Sequence, residues 1–527
     1  MNCGEPEAPG PPSGRNRSAE SPAVFASAAV FLPSLRFAAF RDATIHLLVV
    51  DRTLPKPYVF AASIGLGEAT TDNSDFGFYS VVDHMNQPTL SDIFDAGVVG
   101  AGGAGFPTHV KLKAKADTVL LNAAECEPLL HKDKEVLREH VDEVLAGVAA
   151  AMQLVGAREG KIGIKEKYLD VIELVERRAP PGISVAPLRD AYPAGDEFIL
   201  VYDVLGRVVP PGGIPLAVGA VVMNVETALN VAFASQRPVT EKYLSIAGAV
   251  AEPVTLRVPV GITLAECVAA AGGATVDDAC YIVGGVMMGY LEENHDALVD
   301  KTTGGVIVLP GDHVVVRRRR QDWPQIARIG RSACDQCSFC TELCPRWLLG
   351  HPIEPHAAMR SLGFNKVGEA NVVGTQFCCE CNLCSLYSCP EDLDPKNVCT
   401  QNKRRLAAEK RRWENPPFRP ERARIHLENR KAPMKRLMQK LGLTGFRNVG
   451  PLRADLVQTK RVGIKLKQHI GAECRPTVSV GQRVARGETV GRPPENNGQP
   501  ALGAPVHASV AGVVQAIEKG VVWIEAE

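Results

Sequence analysis

Apolar residues recur along this chain with two different periods. "TVLLNAA" at 118–124 and "GKIGIK" at 160–165 are short bursts that predict strands, whereas "KEVLREHVDEVLAGVAAAMQLVG" at 134–156 places apolar residues every three or four positions and predicts a helix. Such bursts and helical stretches alternate from 89 to 240, the pattern of an α/β domain. Between 241 and 316 the runs turn strand-like, "YLSIAGAV", "VTLRVPVG", "CYIVGG" and "GGVIVLP", separated by Gly and Pro with one helical piece at "TLAECVAAAGG". A small, mostly β module is predicted there. Residues 317–405 are marked by cysteines instead of periodicity. The basic stretch 406–457 predicts an exposed helix and linker, with docking to an acidic partner as the lesser reading. The last segment, 458–527, returns to short strands with turn signals and predicts a compact β sandwich.

The remaining segment, 1–88, opens with the Pro, Gly and Ser tract "GEPEAPGPPSGRNRS", which cannot pack a core, and predicts a disordered extension. Its apolar run "AVFASAAVFLPSLRFAAF" is broken by Pro33 and Arg36, so no direct membrane span is expected. Arg15 and Arg17 ahead of that run would suit a signal peptide, but no clear small-residue cleavage site follows. A length of 527 residues exceeds what one core serves and implies a multidomain chain. With 59 basic and 59 acidic side chains there is no global field to draw it to nucleic acid or anionic lipid, which leaves small-molecule and protein partners.

Cysteine usage sharpens this picture. Of fifteen cysteines, nine lie between Cys334 and Cys389, a crowding that points to metal in a reducing, cytosolic compartment. "CDQCSFCTELCP" sets Cys334, Cys337, Cys340 and Cys344 at C-x2-C-x2-C-x3-C-P, and "CCECNLCSLYSCP" sets Cys378, Cys381, Cys384 and Cys389 at C-x2-C-x2-C-x4-C-P. Three thiolates at such spacing wrap three corners of one iron-sulfur cube, while the cysteine before proline reaches to the other cluster. One 4Fe-4S cluster is therefore assigned to Cys334, Cys337, Cys340 and Cys389, the other to Cys378, Cys381, Cys384 and Cys344. Structural zinc, the plainer alternative, needs only four ligands in two C-x2-C pairs. Cys379 is read as spare, and Cys399 and Cys3 as free thiols. The run "RRRR" at 317–320 reads as a solvated boundary.

Two clusters form a one-electron wire, and a flavin is the expected converter between such a wire and a two-electron hydride donor. "GVVGAGGAGFPTHVKL" at 97–112 satisfies G-x-G-x-x-G through Gly100, Gly102 and Gly105, with Glu125 where a ribose-binding acid would stand. A Rossmann turn also needs a buried strand running into the glycines, and only Val98 and Val99 precede them as contiguous apolar residues. The strand is missing, so the loop calls for another reading.

"GAGGAGFPTHVK", "NAAECEP", "YPAGDE" and "VMNVETA" resemble, in order and spacing, motifs of the family that holds the flavin-binding subunit of respiratory complex I, the C subunit of the Rnf complex and the cobalamin reductases of propanediol-utilising microcompartments. The resemblance covers about 89–527. It implies a complex I flavoprotein-like FMN domain at 89–240, an SLBB β-grasp domain at 241–316, a ferredoxin-like two-cluster domain at 317–405, and a barrel-sandwich domain at 458–527. Carried over by motif position, it implies FMN contacts at Gly100, Gly102, Gly103, Lys111, Asn122, Glu125, Tyr192, Asp196, Glu197, Asn224 and Thr227. It also implies that Phe106 stacks on NADH and Glu127 hydrogen-bonds it. Ala101 and Ala124 stand where complex I relatives carry Arg and Asp, so contact details must differ.

The barrel-sandwich segment follows the clusters here, the order of the cobalamin reductases, whereas in the Rnf protein it precedes the flavin domain. This order implies an NADH-dependent enzyme that reduces cob(III)alamin to cob(II)alamin and onward to cob(I)alamin, with FMN and two 4Fe-4S clusters as cofactors. An adenosyltransferase and microcompartment shell proteins are the implied partners. The alternative is an NADH-oxidising electron-transfer subunit of an Rnf-like membrane complex. No D-x-H-x-x-G cobalamin motif occurs, and His109, His131 and His469 are candidate cobalt ligands only by residue type.

Overall fold

A computed structural model describes residues 45–51, 58–64, 87–363, 372–413, 422–496 and 498–527, and the chain divides into two units, Met1–Phe78 and Tyr79–Glu527. The first contains an antiparallel hairpin of Ile45–Asp51 and Tyr58–Ile64, with Ile45 opposite Ile64 and Asp51 opposite Tyr58. This hairpin departs from the disordered reading of 1–88, because "IHLLVVD" and "YVFAASI" carry the β-branched and aromatic residues that strands favour. The interrupted apolar run 23–40 and Cys3 lie outside the described residues.

The second unit begins with the predicted α/β domain. Four parallel strands stand in the order Ile183–Leu188, Glu159–Lys165, Thr118–Ala123, Ala220–Asn224. Parallel strands need both faces covered. Val141–Val155 and Val225–Ala232 supply one cover through Val144, Leu145, Val148, Ala228 and Leu229, and Glu197–Leu205 supplies the other through Leu200 and Val201. The predicted helix over 134–156 is divided: Lys132–Glu139 ends at His140, and Val141–Val155 runs on to Gly156, whose left-handed φ of 74° closes it.

Next comes a six-stranded sheet in the order Tyr290–Glu292, Ala279–Val283, Gly305–Pro310, Glu241–Gly248, Val254–Pro259, Leu452–Leu456. Helix Leu264–Ala270 starts on a Thr263 capping box and buries Leu264, Cys267 and Val268 in this module's core. The last strand, Leu452–Leu456, comes from the stretch read as linker and pairs in parallel with Val254–Pro259. The chain thus leaves the β module, builds the cysteine-rich domain, and returns to the module's edge before closing in a four-stranded and a three-stranded sheet around Val462, Ile464, Val490, Val514 and Ile524, with a two-stranded ribbon of Glu495–Asn496 and Gln499–Pro500.

The arginine run is not a solvated boundary. Helix Val314–Arg319 turns Arg318 onto the carbonyls of Ser385 and Leu393, and Arg319 onto those of Val286 and Met287. The basic helix beyond the cysteines, Pro395–Ala408, buries Val398, Cys399, Thr400, Asn402 and Leu406, so only one face of it is exposed. Among the described residues, no helix is long and apolar enough to cross a membrane.

Candidate functional site

The glycine loop follows helix Leu90–Asp95 and leads into helix Thr108–Leu112, with no strand in front of it. The loop is pinned at both ends. The Gly100 N–H donates to the Phe106 carbonyl at 3.0 Å, and the Ala101 N–H donates to Thr227 Oγ1 at 2.9 Å. A Cβ at Gly102 would stand 2.8 Å from Asn224 Nδ2, whereas one at Gly103 would meet nothing within 4 Å. The loop is therefore closed on its Asn224 side and open on the other. Backbone that approaches this closely without side chains, with the N–H groups of Gly102 and Gly103 given no acceptor among the described residues, suits an anionic phosphate.

Lys111 lies at the edge of this cradle. Its Nζ donates to the Val222 carbonyl at 2.9 Å and sits 3.7 Å from Glu197 Oε1, with part of the side chain still exposed. Asn224 caps helix Val225–Ala232 and donates to Asp133 Oδ2 at 2.7 Å. Behind it lies a buried charge cluster that sequence reasoning missed. Lys132 Nζ bridges Asp133 at 2.8 Å and Glu226 at 3.1 Å, and Lys242 donates to the same Glu226 oxygen. Against desolvation, the Lys242 and Lys132 ammonium groups hold Glu226 below the usual carboxylate range. The charges in "HKDKE" are visible in the sequence, but their burial is not.

The second and third motifs are fastened to each other. Asn122 Nδ2 donates to the Gly195 carbonyl at 2.8 Å, and the Gly195 N–H donates to Cys126 Sγ at 3.3 Å. Glu125 is pushed up to about 7 by desolvation and by the charge of Asp133. Glu127 is also pushed up to about 7 by desolvation, although its two oxygens accept from the Met287 and Met288 N–H groups, each at 2.8 Å. The carboxylate carried over as an NADH contact thus also docks the β module. Phe106, the other such residue, is 37% exposed at the mouth of the loop.

Two of the residues carried over as flavin contacts reach the cysteine-rich domain. The buried Tyr192 phenol donates to the Cys381 carbonyl at 2.6 Å. Asp196 caps helix Glu197–Leu205 and forms a two-pronged ion pair with the buried Arg346, whose Nη2 lies 2.9 Å from Oδ2. Arg346 follows Cys344-Pro345, so the third motif grips the chain beside both cysteine loops. Asn382 adds a third tie by donating to the Met287 carbonyl at 3.1 Å.

Both cysteine loops have the same local shape. Gln336 and Ser338 flank Cys337 with φ of 62° and 66°, and Glu380 and Asn382 flank Cys381 with φ of 60° and 64°. Four non-glycine residues in the left-handed region at matched positions are costly unless a shared function holds them. Alternating handedness turns successive N–H groups inward, as an iron-sulfur cube requires of its cradle. The Glu380 N–H donates to Cys378 Sγ at 3.4 Å, and the Leu393 N–H to Cys389 Sγ at 3.3 Å.

Thiols of the two motifs lie close enough to interact with one another. Desolvation pushes the Cys340 thiol up to about 12, helped by its neighbours Cys389, Cys334 and Cys337. Desolvation raises Cys384 too, with Cys378, Cys344, Cys340 and Asp394 adding to it. Buried thiols that repel one another ionise only when cationic metal supplies compensating charge, which iron does. Among the described residues no three His, Cys, Asp or Glu side chains converge on a single ion. Cys337 is exposed, whereas Cys344, Cys381 and Cys384 are buried.

Comparison with known proteins agrees with this architecture. The Nuo51 FMN-binding domain description matches residues 93–233, the SLBB domain 243–291, the 4Fe-4S dicluster domain 333–394 and the RnfC barrel sandwich hybrid domain 453–526. The cobalamin reductase PduS of Salmonella typhimurium strain LT2 is 44% identical over 81% of this chain and 94% of its own length. That of Citrobacter freundii is 44% identical over 80% and 93%. The C component of the proton-translocating ferredoxin:NAD(+) oxidoreductase complex of Clostridium ljungdahlii is 35% identical over 49% of this chain and 56% of its own length.

Proposed function

This chain belongs to the family of the PduS cobalamin reductases, and from that premise we propose that it passes electrons from NADH through FMN and two 4Fe-4S clusters to cobalamin. The observation that carries the reading is the direct hydrogen bond from Tyr192, in a flavin motif, to Cys381, in a cluster motif. FMN, when bound, accepts a hydride and releases single electrons, which the clusters relay.

The chain's own residues divide that work. Gly102 and Gly103 offer backbone to the flavin phosphate, Lys111 adds a point charge, and Thr227 and Asn224 hold the loop in place. Asn122 holds the third motif through the Gly195 carbonyl, and Phe106 would offer an aromatic face to the nicotinamide. Cys334, Cys337, Cys340 and Cys389 hold one cluster, and Cys378, Cys381, Cys384 and Cys344 the other. The cradle of Cys381 adjoins the third flavin motif through Tyr192 and would receive electrons first. The exposure of Cys337 makes the first cluster the outlet to the acceptor.

Cob(III)alamin is reduced to cob(II)alamin and onward to cob(I)alamin, a product that an adenosyltransferase consumes, beside which the enzyme works inside a microcompartment shell. Similarity across 81% of the chain favours this reading over a membrane-complex component, whose relatives match about half of it. The test is anaerobic: purified holoprotein with NADH and hydroxocobalamin, followed by the absorbance of the cobalt states. Reduced cobalt appearing in step with NADH consumption supports the reading. A flavin that bleaches while cobalt stays oxidised rejects it in favour of another acceptor.

A further inference from the structure

The closing β domain reaches back to the glycine loop. The Ile470 N–H donates to the Ala104 carbonyl at 3.1 Å. Gly105, with φ of 74°, packs so tightly beneath the neighbouring residue that a Cβ there would stand 2.8 Å from His469 Cβ. His469 is itself held, because its Nε2 accepts from the Ala504 N–H at 2.9 Å. The same two domains are joined behind the loop by Lys301, which is 3% exposed and donates to the Gly97 carbonyl at 2.7 Å and the Pro505 carbonyl at 2.9 Å. Arg492 adds a contact to Asp95 at 3.2 Å.

These contacts carry an apolar side chain to a place where burial alone does not explain it. Ile470 is 47% exposed, beside a loop whose next aromatic, Phe106, is 37% exposed. Its N–H is held by Ala104, and Ile470 takes no part in the core of the closing β domain. On the open side, nothing lies within 4 Å of a Cβ at Gly103. Two half-exposed apolar residues, Phe106 in the loop and Ile470 bonded to its Ala104, thus stand near an open glycine position, and they lie far apart in the sequence.

We infer that Ile470 forms the outer wall of the nicotinamide dinucleotide site, opposite Phe106, so that the barrel-sandwich domain takes part in binding the electron donor. The inference rests on the reading that NADH enters beside the glycine loop, and it adds a residue that none of the four flavin motifs contains. Ile470 acts by apolar contact with the bound dinucleotide, so its loss weakens donor binding without touching flavin or clusters.

The experiment measures NADH oxidation by the anaerobic holoprotein with ferricyanide as acceptor, together with flavin and iron content, for Ile470→Asp, Ile470→Leu and Phe106→Ala. A carboxylate in place of a half-exposed aliphatic group against the bound dinucleotide is expected to raise KM for NADH about tenfold, with kcat and cofactor content kept. Ile470→Leu should stay near the parent. If Ile470→Asp leaves KM unchanged while Phe106→Ala raises it, the inference is overturned and the NADH mouth stands. If neither variant moves KM, the mouth reading itself fails. Loss of flavin from Ile470→Asp with clusters intact would also overturn it, because Ile470 would then hold the flavin loop and not the donor.

Discussion

Tyr192 and Cys381 are joined by a 2.6 Å hydrogen bond from phenol to carbonyl, with both residues buried. It ties the motif "YPAGDE" directly to the backbone of the second cysteine motif. Tyr192→Phe leaves the carbonyl without its donor, which costs about 1–2 kcal/mol. The variant is expected to keep FMN and both clusters, unfold at lower temperature, and reduce its clusters more slowly after NADH bleaches the flavin. Stopped-flow absorbance and thermal unfolding check this; parent-like values in both would contradict it.

Lys111→Glu reverses the charge at the edge of the glycine cradle, next to an existing Glu197. Loss of one charge-assisted contact weakens flavin binding by about tenfold or more. The purified variant should carry its full iron and little flavin, read from the released flavin and the iron assay. Full flavin retention would remove Lys111 from the site.

Cys344→Ser tests the crossing of the ligands. The sequence places Cys344 with Cys334, Cys337 and Cys340, but its thiol faces Cys379 and Cys378. The variant should lose the cluster of Cys378, Cys381 and Cys384, leaving about four irons where the parent has about eight. Electron paramagnetic resonance of the reduced protein distinguishes the survivor. Loss of the same signal that Cys337→Ser removes would contradict the crossing.

Lys301 predicts a pH dependence of stability. Desolvation pulls its ammonium down to about 7 in the fold, with His469 and His507, pulled down to about 4 and about 3 by desolvation, close by. Each binds its proton more weakly folded than unfolded, so the unfolded state holds more protons between the two pKa values and stability rises with pH there. For Lys301 that window runs from about 7 towards the ordinary lysine value near 10.4. Chemical denaturation across the window should show a rise that Lys301→Met flattens. An equal slope in both proteins would contradict the assignment.

Local chemistry was legible in the sequence and long-range contact was not. The cysteine spacings mark the two loops because three cysteines of each motif lie within seven residues, and the missing strand before Gly100 is a local fact: helix Leu90–Asp95 stands there instead. The α/β, mostly β, cysteine-rich and closing β character of the segments follows from their own patterns, and their family types follow from the resemblance. Arg346, Asn382 and Lys301 escaped notice because each acts on a partner far away in the chain, and nothing beside Arg346 or Lys301 marks it as buried. The run at 317–320 misleads for the same reason: four arginines look solvated until the carbonyls that Arg318 and Arg319 reach are in view. Strand Leu452–Leu456 is unreadable alone, because its partner Val254–Pro259 is fixed long before it.

The central claim is that the flavin site and the two cysteine cradles act in series. Rapid anaerobic mixing of NADH with holoprotein and hydroxocobalamin, monitored at flavin, cluster and cobalt absorbances, tests it most directly alongside Lys111→Glu and Cys381→Ser. The parent should bleach flavin first, clusters next, and reduce cobalt last; Lys111→Glu should do none of these, and Cys381→Ser only the first. Cobalt reduction by Cys381→Ser at the parent's rate would contradict the account.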